Sequence, residues 1–244
     1  MKCLVCNSTI TGQYYQDYWG NKVCQSHIDN HEVTFCISCG SFVRISDVTG
    51  DGRTLCESCM ASVISDAGQV DKLKKYVLRK FMDIGVFFND KFLDSVSIDI
   101  VSPQKMAEIR KQPVNFQNKG LTQTYSCNTL GGRFLGFKDK FKHHIYMLSY
   151  LPKIEFAATL AHEILHIWQI ENGIQLPPLK CEGLCNIGSY IIYENMSAQK
   201  ASYYKKNLME SPDPIYGDGF RLIYSIYEQS GLEELFEMAK NYKL

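Results

Sequence analysis

Thr159–Ile170 reads TLAHEILHIWQI, and it sets His162 and His166 four residues apart with Glu163 between them. Residues four apart on an α-helix lie on one face, one turn above the other. Two imidazoles so placed can address a single ion, and the Glu163 carboxylate, one position on, can reach a water at that ion. Two ligands plus a general base in H-E-x-x-H spacing is the arrangement of zinc hydrolases. The neighbours agree with a buried helix: Ala157, Ala158, Leu160, Ala161, Ile164, Leu165, Ile167 and Trp168 surround the polar trio with apolar surface. Buried histidines and carboxylates without partners are costly. One metal ion satisfies all three.

A catalytic zinc usually takes three protein ligands and keeps a fourth position open. Downstream, residues 171–196 read ENGIQLPPLKCEGLCNIGSYIIYENM. Gly173 suits a helix C-cap, and Pro177 and Pro178 cannot continue a helix. Leu184, Ile187, Ile191 and Ile192 then recur on or near one face of a second helix. A short loop lets the two helices pack side by side and brings Glu182 back toward the ion as third ligand. The same residue also fits a plain first-turn acid favoured by the helix dipole. Asn186, one turn after Glu182, is placed to orient a ligating histidine.

Eight further ligand-type residues crowd the first fifty-nine positions, as Cys3-x2-Cys6, Cys24-x2-His27, Cys36-x2-Cys39 and Cys56-x2-Cys59. Each pair can supply half of a tetrahedral site, so two pairs close one structural zinc. Sequential pairing puts Cys3, Cys6, Cys24 and His27 on one ion, and Cys36, Cys39, Cys56 and Cys59 on another. The expected metal complement is one catalytic and two structural zinc ions. No signal-peptide pattern precedes the ligand at position 3, which points to a cytoplasmic, reducing setting and against disulfides. About sixty residues bury too little apolar surface to be stable alone, and zinc binding adds folding energy.

Residues 1–66 carry four Lys/Arg against seven Asp/Glu. That balance lacks the basic patch that phosphate contacts require, so it argues against nucleic acid and for a protein partner. The aromatics Tyr14, Tyr15, Tyr18, Trp19, Phe35 and Phe42 are expected to form the small core of this module. No apolar run approaches the roughly twenty residues of a membrane span.

Composition and length suit two domains, a double zinc module over 1–66 and a larger domain over 67–244. In the second, Leu73, Tyr76, Val77, Lys80, Phe81 and Ile84 recur with helical period, and SPQKMAEIRKQ reads as a short capped helix. FLDSVSIDIVS, GLTQTYSCN, GRFLGFK and HHIYMLSY alternate like strands, with Gly131-Gly132 as a turn. The expected architecture is α+β: a mostly antiparallel sheet, then the motif helix and further helices. His143 and His144 face opposite sides of their strand, so at most one faces a cleft; ordinary strand histidines are the better reading. Strand 142–150 is expected as the sheet edge to which an extended peptide adds. Cys127, Cys181 and Cys185 read as free buried thiols, with a regulatory ligand role left open for Cys181 beside Glu182.

The segments KVCQSHIDN, DGRTLCESCM, ISDAG, LAHEILHIW, CEGLCN and DPIYGDGFR, in this order, resemble the LIM-domain peptidases that restrain organ growth in plants, the DA-one family. The resemblance spans nearly the whole chain. It implies a LIM-like zinc module directly before a zincin-like peptidase domain of the gluzincin type. By position, His162 and His166 match the ligating histidines, Glu163 the base and Glu182 the third ligand. Gluzincins often draw an oxyanion donor from a later segment, where Tyr216 stands with Arg221 nearby; Tyr216 fits equally a core residue capped by glycine turns. Two departures are visible: Cys24-x2-His27 replaces His-x2-Cys, and eight residues separate His27 from Cys36 where two are usual. The substrate implied is a protein or peptide, with a regulatory protein partner on the zinc module. The rival is a latent or non-catalytic zinc scaffold.

Overall fold

The computed structural model describes residues 1–88, 92–127, 140–197, 200–241 and 244. Gly131-Gly132 and the strand read from GRFLGFK lie outside the described residues, as does the Cys127 side chain. The chain divides into two compact units: Met1–Ile64 with Tyr150–Lys153, and Ser65–Ser149 with Ile154–Leu244.

The first unit is built of short pieces. β1 (Tyr14–Gln16) pairs antiparallel with β2 (Lys22–Cys24), which runs into α1 (Gln25–Asp29). β3 (Val33–Phe35) pairs antiparallel with β4 (Phe42–Arg44), and a single helical turn, α2 (Glu57–Met60), follows. Asp17 fastens the two halves: its carboxylate accepts the backbone N–H groups of Trp19, Asn21 and Phe42. A small core joins Cys3, Ile10, Val23 and Phe42, with Val5, Cys24, Ile28 and Val33 against it. The expected aromatic core is therefore corrected, since Tyr14, Tyr15, Tyr18 and Phe35 are exposed and of the aromatics only Phe42 joins that core. Where Cys and His side chains gather at the centre, little room is left for large rings. The segment Tyr150–Lys153 belongs here too. Pro152 bridges Val63, Ile64 N–H donates to Leu151 O, and Lys153 N–H donates to Ser62 O.

The second unit opens with α3 (Ala67–Met82). Asp66 and Gln69 close a reciprocal capping box at its start, and Val70, Leu73, Val77, Leu78 and Phe81 form its buried stripe. After α4 (Phe92–Ser95) come β5 (Val96–Val101) and α5 (Pro103–Arg110). In α5, Ser102 caps the Lys105 N–H, and Pro103 occupies the first turn, where it displaces no hydrogen bond. β6 (Gly120–Cys127) and β7 (Lys140–Leu148) complete a three-stranded sheet in the order β5-β7-β6.

This sheet corrects two expectations. β6 pairs antiparallel with β7 but β5 pairs parallel with it, so the sheet is mixed rather than mostly antiparallel. β7 is also the central strand of the three, not an edge. The reason is burial: Ile145, Met147 and Leu148 are fully shielded, which suits a strand covered on both flanks. Among the described residues the edge next to the H-E-x-x-H helix is β6. His143 points inward, bonded to Thr124 Oγ1 at 2.9 Å and Glu171 at 3.3 Å, whereas His144 pairs with Asp99. Neither approaches the motif histidines as a ligand.

Helices follow: α6 (Lys153–Glu171), α7 (Pro178–Asn195), α8 (Ala201–Met209) and α9 (Tyr216–Lys240). α6 carries the H-E-x-x-H motif and is buried nearly all round. It ends at Gly173, whose φ of 66° is the left-handed conformation of a C-cap. α7 starts with Pro178 in its first turn and returns along α6, where Ser189 Oγ donates to Ala158 O at 2.9 Å. α7 and α9 cross at Gly183 and Gly219, where a Cβ on Gly183 would stand 2.2 Å from Gly219 O. Among the described residues, no helix is long and apolar enough to cross a membrane.

Candidate metal centre

Helical spacing brings the motif side chains together. On α6, Nε2 of His162 and Nε2 of His166 stand 3.1 Å apart. From α7, Glu182 Oε2 comes within 3.2 Å of the first and 3.5 Å of the second. Ligand atoms about a tetrahedral zinc, with bonds of ~2.0–2.2 Å, are spaced about 3.3 Å apart. The three donor atoms fit that spacing. Glu182 Oε2 is buried, and the two imidazole nitrogens are the partners it meets among the described residues. A buried carboxylate oxygen with only two imidazole nitrogens for company is best satisfied by a cation at their focus.

The charges at this centre are strongly coupled. Burial pulls the His166 imidazole down, but hydrogen bonds to Cys181 and Glu182 and the nearby carboxylates carry it up to about 10. Burial raises the Glu182 carboxyl, yet hydrogen bonds from His162 and His166 hold it at about 2. The site thus draws positive charge toward the point where the donors converge.

The surrounding residues fix each part in place. His162 Nδ1 donates to Asn186 Oδ1 at 2.9 Å, and Asn186 Nδ2 donates to the Tyr216 carbonyl at 3.0 Å. That chain puts the proton of a neutral His162 on Nδ1 and leaves the Nε2 lone pair for an ion. Asn186 stands where its spacing from Glu182 predicted. Glu163 points toward β6, where Oε2 accepts from Thr122 Oγ1 at 2.7 Å. Its other oxygen lies against Gly120, where a Cβ would come within 2.5 Å of Oε1 and 2.8 Å of Thr159 Cγ2. Tyr216 begins α9, half exposed, with its ring centroid 6.3 Å from that of His162. Arg221 is engaged elsewhere, donating to Met209 O and Ser211 O.

Thr122 and Gly120 carry no signal in the sequence, and Cys185 reads there only as a free buried thiol. A threonine and a glycine in a strand announce nothing by themselves, because their role depends on which strand crosses α6. Cys185 was legible in part, since it sits one turn from Glu182 and next to Asn186. It also forms an alternative grouping with His162 and His166, whose donor atoms lie within 4.8 Å of one another. The tighter set is the one with Glu182, because the Cys185 sulfur faces Nδ1 of His166 and not its Nε2.

The eight amino-terminal residues gather in two groups, Cys3, Cys6, Cys24 and His27, and Cys36, Cys39, Cys56 and Cys59. These are the sequential pairs that the spacing predicted. His27 Nδ1 bonds Glu32 Oε2 at 2.6 Å, so its other nitrogen is free to face the sulfurs. Hydrogen bonding from His27 lowers the Cys6 thiol to about 6. In the second group, Cys39 and Cys56 sulfurs stand 3.6 Å apart with no disulfide between them. Contact with Cys36 pushes Cys56 far down and Cys59 far up, as expected of thiols crowded round one point. Four soft donors converging in this way suit zinc.

No protein-family model matches the chain, and no solved structure matches it. Among curated proteins it is 24% identical to Protein DA1-related 2 of Arabidopsis thaliana, over 84% of this chain and 49% of that one. It is 23% identical to Protein DA1 of the same plant, over 97% of this chain and 55% of the relative. It is 22% identical to LIM domain-containing protein HDR3 of Oryza sativa subsp. japonica, over 89% and 55%. The chain is similar to the DA1 proteins. It spans about half the length of the curated DA1 relatives it matches. The matched share of this chain takes in both the cysteine-rich unit and the unit that carries His162, and the LIM domain in the name of the rice relative accords with two Cys/His clusters.

Proposed function

We propose that the chain is a zinc-dependent endopeptidase acting on protein substrates, with an amino-terminal LIM-like zinc module that engages a protein partner. The observation that carries this reading is the convergence of His162 Nε2, His166 Nε2 and the buried Glu182 Oε2, with Glu163 on the same helix as the histidines and held by Thr122. His162, His166 and Glu182 would hold the ion. When bound, zinc supplies Lewis acidity toward a water and a peptide carbonyl. Glu163 takes the proton from the water at its carboxylate and passes it to the leaving amine. Thr122 donates to Oε2 and so leaves Oε1 as the proton acceptor. Asn186 holds the His162 ring in the tautomer that ligation needs. The Tyr216 hydroxyl is the donor assigned to the developing oxyanion, with burial and the Glu182 and Glu163 charges keeping its phenol protonated. β6, the edge strand beside Glu163 among the described residues, is the place where an extended substrate adds as a strand.

The zinc content of the wild-type protein beside His162→Ala, with cleavage of an unfolded protein, tests the reading. Three ions falling to two, matching the three donor groups, with chelator-sensitive cleavage lost, is the expected result. Two ions in both proteins and no cleavage would leave only a zinc scaffold.

Gly120 gives a second test. An alanine there drives a methyl into the space of Glu163 Oε1 and Thr159 Cγ2. A general base displaced by about 1 Å costs on the order of 10²-fold in rate, so Gly120→Ala should lose turnover to about that extent with zinc content unchanged. Turnover equal to wild type would mean that Glu163 does not need its observed position.

A further inference from the structure

The mechanism above makes no use of the Cys185 thiol, although it is fully buried against a ligand. Its Sγ lies 3.3 Å from His166 Nδ1 and accepts a hydrogen bond from Gln169 Nε2 at 3.0 Å. Gln169 is buried as well, so this contact is sealed from water. The two histidines are thus treated alike. Each turns Nε2 to the centre and Nδ1 to a partner on α7: the amide oxygen of Asn186 for His162, and for His166 the sulfur of Cys185 at 3.3 Å, with the sulfur of Cys181 farther off at 3.8 Å. The two partners are consecutive residues.

We propose that Cys185 is a positioning residue whose sulfur accepts the Nδ1–H of His166, fixing that ring's tautomer and direction at the metal centre without itself ligating the ion. The inference rests on the reading of this centre as a zinc site. The two nitrogens of an imidazole diverge, so an ion on Nε2 is out of reach of an atom seated at Nδ1. Glu182 Oε2 lies on the Nε2 side and Cys185 on the Nδ1 side, which divides ligand from supporting partner. A sulfur also suits this place electrostatically. Carboxylates are the common Nδ1 partners of ligating histidines, but Glu163 and Glu182 already stand at this centre. A third buried carboxylate would be costly to desolvate beside them. A thiol accepts more weakly and brings no obligatory charge.

The test uses the full chain with zinc kept in both cysteine clusters. Chelator competition measures how tightly the His162–His166–Glu182 site holds its zinc. Exchange of that ion for cobalt(II) then reports the ligand set by absorption. Cys185→Ala should weaken zinc binding at this site by about 10- to 100-fold, the usual cost of removing a supporting partner. Cys185→Ser should recover most of the loss, since a hydroxyl oxygen accepts the same N–H. The cobalt protein should show no sulfur-to-metal charge-transfer band that Cys185→Ser removes. Wild-type affinity in Cys185→Ala overturns the proposal. So does a charge-transfer band lost in Cys185→Ser, which would make the sulfur a ligand. If the alanine protein fails to fold, the serine protein and its cobalt spectrum decide between the same two outcomes. If His162→Ala removes no ion from the protein, the zinc reading itself fails. If it does and the Cys185 variants match wild type, only the positioning role fails.

Discussion

Glu163→Gln is expected to keep all three zinc ions and to lower cleavage of an unfolded protein by roughly 10²- to 10⁴-fold, the range for a lost general base. Glutamine has nearly the same shape, and its amide oxygen can still accept from Thr122 Oγ1, so the cradle formed by β6 survives. What disappears is the proton acceptor next to Gly120. The proposed ligands His162, His166 and Glu182 are untouched, which separates this variant from His162→Ala. Turnover within a few-fold of wild type would remove Glu163 from the chemistry. Loss of zinc along with activity would instead make it part of the ligand shell.

The other large effect lies in the first unit. Replacing Cys39 by Ser is expected to release one zinc and to unfold that unit. Cys36, Cys39 and Cys59 are almost completely buried, so a zinc held by them would sit where a hydrophobic core would otherwise be. The apolar cluster nearby is small, and a segment of this size is marginal without further support. Structural zinc contributes on the order of 10–16 kcal/mol of apparent binding free energy in small zinc modules, as much as a domain's whole net stability of about 5–15 kcal/mol. Trp19 offers a direct readout, since its indole N–H donates to Cys39 O at 2.8 Å. Its fluorescence should shift to the red on chelation or in Cys39→Ser, while buried Trp168 on α6 holds its emission. A first unit that keeps its amide hydrogen-exchange protection after losing this zinc would contradict the argument.

What was legible in the sequence was local. The four-residue step from His162 to His166 fixes a helix face, and the Gly173, Pro177 and Pro178 signals end one helix and begin the next. From those alone Glu182 and Asn186 fall where the structure has them. Regular Cys-x2-Cys spacing likewise announced two clusters and their sequential grouping. What stayed hidden was the order of strands. Alternation marks β5, β6 and β7 as strands but carries no record of which lies between the others. The placement of β7 at the centre follows from burial of Ile145, Met147 and Leu148, a property of the packed state. Once β6 is the strand beside α6, Thr122 and Gly120 acquire roles that no spacing in the sequence encodes. The aromatic residues of the first unit misled for a related reason. Hydrophobic character predicts burial only where there is a volume to fill, and here sulfur and imidazole occupy it.

The stretch Tyr150–Lys153 has a consequence for anyone who would treat the zinc module as a detachable cassette. It leaves β7, joins the first unit through Val63, Ile64 and Ser62, and becomes the start of α6 within three residues. A fragment cut after residue 64 keeps the stretch but strips the partners from Leu151 O and Lys153 N–H. The frayed end would be the first turn of the helix that, nine residues later, presents His162. Swapping or deleting the module therefore edits the motif helix as well, and a chimaera that is to keep both parts intact has to carry residues 150–153 along with residues 1–64.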